Sequence, residues 1–239
     1  MATSIESVLV AAARNNAEWC ALMSRTHGVA GEFDEQAWAA AARTPPYYPD
    51  AVTLMPDCDP DALMARIDTA LPSASVKDSF ADLDLTGSGF EVLFDAQWIH
   101  RAATKPFVRS DLEWSVVVDA GALGRWALAW DDGKGNEGVF QPQLLDDPDT
   151  FVVAGYHVGG AVCGGAVAYR GAGVVGVSNV FAEDQNPDTA WPLVLSAVHS
   201  LFPMVPVVGY EHGDDLEAAA RHGFEILGPL RVWTQTARD

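Results

Sequence analysis

The chain has 239 residues, 33 of them acidic against 14 Lys and Arg, for a formal net charge of −19. That balance excludes nucleic acid and anionic membrane surfaces as partners, because their phosphates would be repelled, and it favours a cationic ligand. Residues are 49% apolar, and no apolar run approaches the roughly 20 needed to cross a bilayer, so a globular protein of one large or two small domains is expected.

The opening Met1-Ala2-Thr3-Ser4-Ile5-Glu6 has no basic segment and no signal core, so a cytoplasmic location is expected. Cys20, Cys58 and Cys163 are far apart and odd in number, which fits buried reduced thiols rather than a disulfide framework. The six histidines show no metal-ligand spacing, and neither HExxH nor CxxC occurs, so no metal is expected.

Ser4 to Ser24 reads as an amphipathic helix, with Ile5, Val8, Leu9, Ala12, Trp19, Leu22 and Met23 on one face and Gly28 after its end. A short helix capped by Asp34 is expected to Ala42. Thr44 to Pro49 is an extended connector by its prolines. Ala51 to Met55 reads as a strand. Asp59 caps a helix holding Leu63, Met64, Ile67 and Leu71. Ser75 to Phe80 is a strand, Asp82 to Gly87 a turn or short helix, and Phe90 to Ile99 a strand. Lys105 to Arg109 reads as a linker.

Leu112 to Val118 is then a strand and Ala120 to Trp130 a helix, and Asp131 to Asn136 is a loop by composition. Phe151 to His157 and Ala161 to Tyr169 flank Val158-Gly159-Gly160, which fits a hairpin. Val174 to Phe181 is short, β-branched and bounded by Gly173, as a buried strand is. Trp191, Val194, Leu195, Val198 and Leu201 fall at helical spacing, with Asp188 or Thr189 as the expected cap. Val205 to Tyr210 is a strand, Leu216 to His222 a helix capped by Asp214 or Asp215, and Ile226 to Trp233 the last strand.

Two passages resemble each other. Ser75 to Phe80 is followed by an acidic turn, Gly89-Phe90-Glu91-Val92-Leu93 and Trp98. Val207 to Tyr210 is followed by an acidic helix, Gly223-Phe224-Glu225-Ile226-Leu227 and Trp233. The recurrence points to two copies of one unit.

From Leu112 onward, the order of strands and helices, with the terminal helix running into Gly223-Phe224, resembles the GNAT N-acetyltransferase superfamily. The resemblance implies an α/β fold, an α+β mixed sheet of the acyl-CoA N-acyltransferase type. It further implies two tandem halves, a shortened one at 1–105 and a complete one at 110–239. It implies acetyl-CoA as co-substrate, bound where the strand of Val174 to Phe181 meets the next helix, by Asn179, Val180, Phe181, Ala182, Thr189 and Ala190. A backbone N–H near Val180 or Phe181 would polarise the acetyl carbonyl. The family's glycine-rich loop is replaced here by Ala182 to Thr189, which has no glycine and contributes Glu183, Asp184 and Asp188. A carboxylate about 4 Å from a phosphate costs up to about 4 kcal/mol at an effective dielectric near 20. A helix N-terminus returns only about 0.3–1 kcal/mol. Weak cofactor binding is therefore expected. Where many relatives carry a proton-donating Tyr, this chain has Ala219.

Glu211 and His212 end a strand and precede a helix, where ligands sit in open α/β sheets. Glu211 is the candidate general base for an amine and Tyr210 the candidate acid. Two functions follow. One is N-acetyl transfer from acetyl-CoA to an amine of a small molecule or protein. The other is a non-catalytic GNAT-like binding or regulatory protein, taking a small molecule or a protein, that has lost acetyl-CoA binding. Oligomeric state has no signature.

Overall fold

The computed structural model describes residues 5–70 and 73–236. Ser4 and Leu71, both expected in helices, lie outside the described residues. By their contacts the residues sort into two compact units, Met1–Trp98 with Leu227–Asp239, and Ile99–Ile226.

The first unit begins with α1 (Ile5–Thr26), whose inner face of Ala12, Ala13, Trp19, Cys20 and Met23 is fully buried. Ile5, expected on that face, is 67% exposed. Strands β1 (Gly31–Phe33), β2 (Ala37–Ala40) and β3 (Ala51–Thr53) follow, with β2 antiparallel to both β1 and β3. The helix expected from Asp34 is therefore corrected to a strand. Its alanines favour a helix by only tenths of a kcal/mol each. Pairing on both sides and burial of all four residues, Trp38 among them, outweigh that preference. Asp34 caps no helix: its carboxylate accepts the N–H groups of Gln36 (2.8 Å) and Ala37 (2.8 Å) and pairs with Arg66.

Asp59 caps α2 (Pro60–Met64) as expected, although the helix stops well short of Leu71. β4 (Ser75–Asp78) runs parallel to β3. A 3₁₀ turn at Thr86–Ser88 then leads into β5 (Phe90–Arg101). Trp98 donates its indole N–H to the Ser79 carbonyl (2.8 Å).

The second unit holds β6 (Glu113–Val116), α3 (Ala120–Asp131), β7 (Thr150–Tyr156), β8 (Val162–Gly171), β9 (Val174–Ala182), α4 (Pro187–Leu201), β10 (Val207–Glu211) and α5 (Gly213–Arg221). Its strand order is β10-β9-β8-β7-β6. The β9–β10 pair is parallel and the others antiparallel. The chain closes with β11 (Glu225–Gln235), which pairs antiparallel with β4 of the first unit, Trp233 opposite Val76.

The segment expected as a linker is held in the second unit by Arg101. This guanidinium, 1% exposed, donates to the carbonyls of Pro106 (2.6 Å) and His222 (2.9 Å) and lies 3.3 Å from His199. His199 in turn stacks on Phe107 at 4.4 Å.

Glycines set how closely the helices approach the sheet. A methyl on Gly155 would meet the Leu193 side chain of α4. A methyl on Gly165 would meet the Val153 carbonyl and the Trp126 indole of α3. Trp126 donates to that same carbonyl (2.8 Å) and packs edge-on against Phe140 and Phe181. Gly165→Ala is therefore expected to destabilise by about 2–3 kcal/mol, because backbone must shift. That corresponds to a melting temperature lower by roughly 5–10 °C. Gly155→Ala, which meets only a movable leucine, should cost about 1 kcal/mol. Thermal unfolding of the two variants checks the ranking.

Candidate functional site

β9 and β10 are paired only at Val175–Val207 and Gly176–Val208. Beyond those positions each strand runs on, to Ala182 and to Glu211, and both ends line a cavity of about 650 Å³. β9 is bulged just before this point. Val167 faces Ser178 and Gly165 faces Phe181, so three steps on β9 match two on β8. Asn179 absorbs the extra residue with a φ of 53°, a left-handed conformation that asparagine tolerates better than most residues. A bulge turns the strand and takes backbone groups out of the ladder.

Of the residues implied as cofactor ligands, Val180, Phe181, Ala182 and Ala190 line the cavity. Asn179 does not; its amide donates to the Ser178 hydroxyl (3.0 Å). Thr189 does not either; its hydroxyl donates to Asp184 (2.9 Å). Glu211 lines the cavity, whereas Tyr210, one residue earlier on the strand, is not part of the wall, as strand alternation requires.

The helix cap needs correction. Asn186, not Asp188 or Thr189, is the N-cap of α4, with Pro187 in the first turn. The Asn186 side chain accepts the Asp188 N–H (3.0 Å), and its carbonyl accepts those of Thr189 (3.0 Å) and Ala190 (3.3 Å). Pro187 has no N–H, so this first turn has no donor left over for an anion. At α5, likewise, His212 is the N-cap, and Asp214 and Asp215 sit inside the first turn.

The three loop carboxylates do not converge on the cavity. Asp188 pairs with Arg221 (2.8 Å) and lies 3.1 Å from His222, which draws it toward α5. Its pKa is lowered by the hydrogen bond from Arg221. Asp184 accepts from the Asn186 N–H (3.1 Å) and from Thr189. Only Glu183 reaches the wall, and its Oε2 lies 2.5 Å from His157 Nε2. The repulsion expected from three charges thus falls to one at this loop.

Glu211 is the chemically distinctive group. Burial, reinforced by the charge of Asp215, pushes its carboxyl up to about 8. No described side chain or backbone N–H donates to that carboxyl. The wall also carries Asp132, Glu183 and Asp215, and its one cation is Lys134. Val162, Phe181 and Trp191 supply apolar surface. A cleft with apolar sides and several carboxylates can seat a thioester arm and an ammonium group together. The composition-based reading of Asp131 to Asn136 as a plain loop missed Lys134, because nothing in local sequence places that loop on a cavity wall.

Among the described residues no three His, Cys, Asp or Glu side chains gather as metal ligands. The three cysteines are free and buried. No described helix is long and apolar enough to cross a membrane.

No protein-family model matches the sequence, and no curated protein matches it. Solved structures are similar to it in three dimensions. A GCN5-related N-acetyltransferase from Kribbella flavida aligns with a TM-score of 0.65 at 16% identity, over 95% of this chain and 96% of that one. Another from Sphaerobacter thermophilus gives 0.55 at 11% identity, over 96% and 95%. Saccharomyces cerevisiae N-myristoyltransferase with bound myristoyl-CoA gives 0.51 at 10% identity, over 71% and 52%. The chain has the GNAT fold, a mixed α+β acyl-CoA N-acyltransferase architecture.

The raised carboxyl makes a stability prediction. Glu211 is held in its neutral form by the fold, so its contribution is fully present below the ordinary carboxylate value of 4.5 and is lost as pH rises through about 8. Gln stays neutral throughout. Glu211→Gln should melt within about a degree of wild type near pH 4.5 and several degrees higher at pH 9, where about 1 kcal/mol corresponds to 2–4 °C. Calorimetry at the two pH values checks this.

Proposed function

We propose that this chain transfers an acyl group, acetyl in the simplest case, from an acyl-CoA thioester to the amine of a small cationic molecule. The observation that carries the reading is Glu211: an unpartnered carboxyl on the wall of the cleft opened where β9 and β10 part. The thioester supplies the activated acyl carbon when bound, and the amine displaces its thiolate. Glu211 takes the proton that the ammonium nitrogen must lose before it attacks, and the second proton, lost from nitrogen as the amide forms, goes to the departing thiolate. A carboxyl near 8 suits that task, since a general base works best with a pKa close to the working pH. Glu183, Asp132 and Asp215 attract the cation, and the acidic chain as a whole steers it inward. In this reading the backbone after the Asn179 bulge, at Val180 and Phe181, orients the acyl carbonyl; Ala182 and Ala190 line the same cavity. Tyr210, Asn179 and Thr189 receive no direct role in this reading.

The two strand–turn–strand passages, β4 to β5 and β10 to β11, support a tandem reading. In it the first half has kept a 3₁₀ turn where the second has α5. Three buried thiols fit a reducing compartment such as the cytoplasm.

One observation favours a second reading. The first turn of α4 has no free N–H group for a pyrophosphate, as a cation-binding protein without cofactor would show. Release of CoA thiol from acetyl-CoA in the presence of a panel of small amines separates the two. The first reading expects amine-dependent thiol release, with kcat/KM rising through about pH 8 and levelling above it. Glu211→Gln should lower kcat by about 10²–10⁴-fold. Absence of amine-dependent release with every acyl-CoA tried leaves the binding reading.

A further inference from the structure

We infer that Lys134 is the phosphate anchor of this cleft, taking over the task for which the β9–α4 loop has neither glycine nor a basic residue. The inference rests on the acyl-CoA reading above.

Three observations converge. First, Lys134 is the single cation on the cavity wall, against four carboxylates. It is exposed and makes no ion pair among the described residues. Arg221, the guanidinium beside the loop acids, is already paired with Asp188.

Second, Lys134 stands on a loop closed by hydrogen bonds to Asp131. Asp131, 3% exposed, accepts the Asn136 backbone N–H (2.9 Å) and its side-chain amide (3.0 Å). The Asp131 carbonyl accepts the Lys134 N–H (3.2 Å). Burial alone would raise the Asp131 pKa, but these hydrogen bonds override it and hold the group below its ordinary value. The carboxylate therefore stays charged and keeps the loop closed around it. Gly133 and Gly135 take φ values of 72° and 87°, which other residues adopt only with strain. The lysine between them stands on the cavity wall.

Third, the usual donors at the facing rim are spent. The first-turn N–H groups of α4 are taken by Asn186, and the loop from Ala182 to Thr189 contains no glycine. A phosphate chain leaving this cleft meets one available positive charge, and it is on the opposite loop. Lys134 acts on affinity and touches no reacting atom.

Calorimetric titration with acetyl-CoA and with S-acetylpantetheine, which has the thioester arm but no phosphate, tests this. Wild type should bind acetyl-CoA more tightly than S-acetylpantetheine. Lys134→Ala should raise the Kd for acetyl-CoA about tenfold and leave that for S-acetylpantetheine unchanged, and Lys134→Arg should restore most of the loss. An equal loss for both ligands would assign Lys134 to the thioester arm and overturn the inference. Wild-type binding of both ligands with no change in Lys134→Ala overturns the inference alone. Failure of wild type to bind either ligand overturns it together with the acyl-CoA reading.

Discussion

Two parallel strands that begin paired and then part create everything chemical in the second unit. β9 and β10 share two paired positions and then diverge, and the bulge at Asn179 turns β9 just before the gap. A parted pair leaves backbone polar groups that neither strand satisfies, which is costly unless water or a ligand reaches them. The gap is therefore a place where a polar ligand lowers free energy. The rest of the unit holds it open from both sides. Trp126 of α3 sits over Gly165 and Leu193 of α4 over Gly155, so each helix lies close to the sheet and its end reaches the cavity rim. Arg101 ties the chain entering this unit to the end of α5.

Electrostatics within the gap follow from which carboxylates find partners. Asp188 and Asp184 are drawn aside by Arg221 and Thr189, and Glu183 is matched by His157. Glu211 is left without a partner at the strand end, and burial makes it a weak acid. The outcome is a cleft that is acidic but whose central carboxyl exchanges its proton near neutrality, a combination suited to deprotonating an ammonium. Phosphates then need a cation from elsewhere, and the Gly133-Lys134-Gly135 loop is the part of the wall that carries one.

Much of this was readable in the residues. The β-branched run from Val174 and the helical spacing from Trp191 marked β9 and α4 within a residue or two, and Glu211, singled out by its place at a strand end, lies on the cavity wall. The misreadings have physical causes. The alanines of β2 favour a helix, and pairing with β1 and β3 together with burial overrides them. The Asn186-Pro187 pair is a local signature of a helix start, and Asp188 and Thr189, also good capping residues by type, fall inside the first turn it opens. Where Asp188 points depends on Arg221, 33 residues on, and no local pattern reveals that. Lys134 reaches the cavity only because α3 packs against β8 and ends at the rim, a tertiary fact.

The central claim is that an acyl-CoA enters the gap between the parted strands. Amide hydrogen exchange with and without acetyl-CoA tests it most directly, because it reports where protection appears as well as whether binding occurs. The account predicts slower exchange confined to Val180–Trp191, the end of β10 and the loop at Lys134. Protection elsewhere in the chain, or none at acetyl-CoA concentrations that saturate binding by calorimetry, would contradict it.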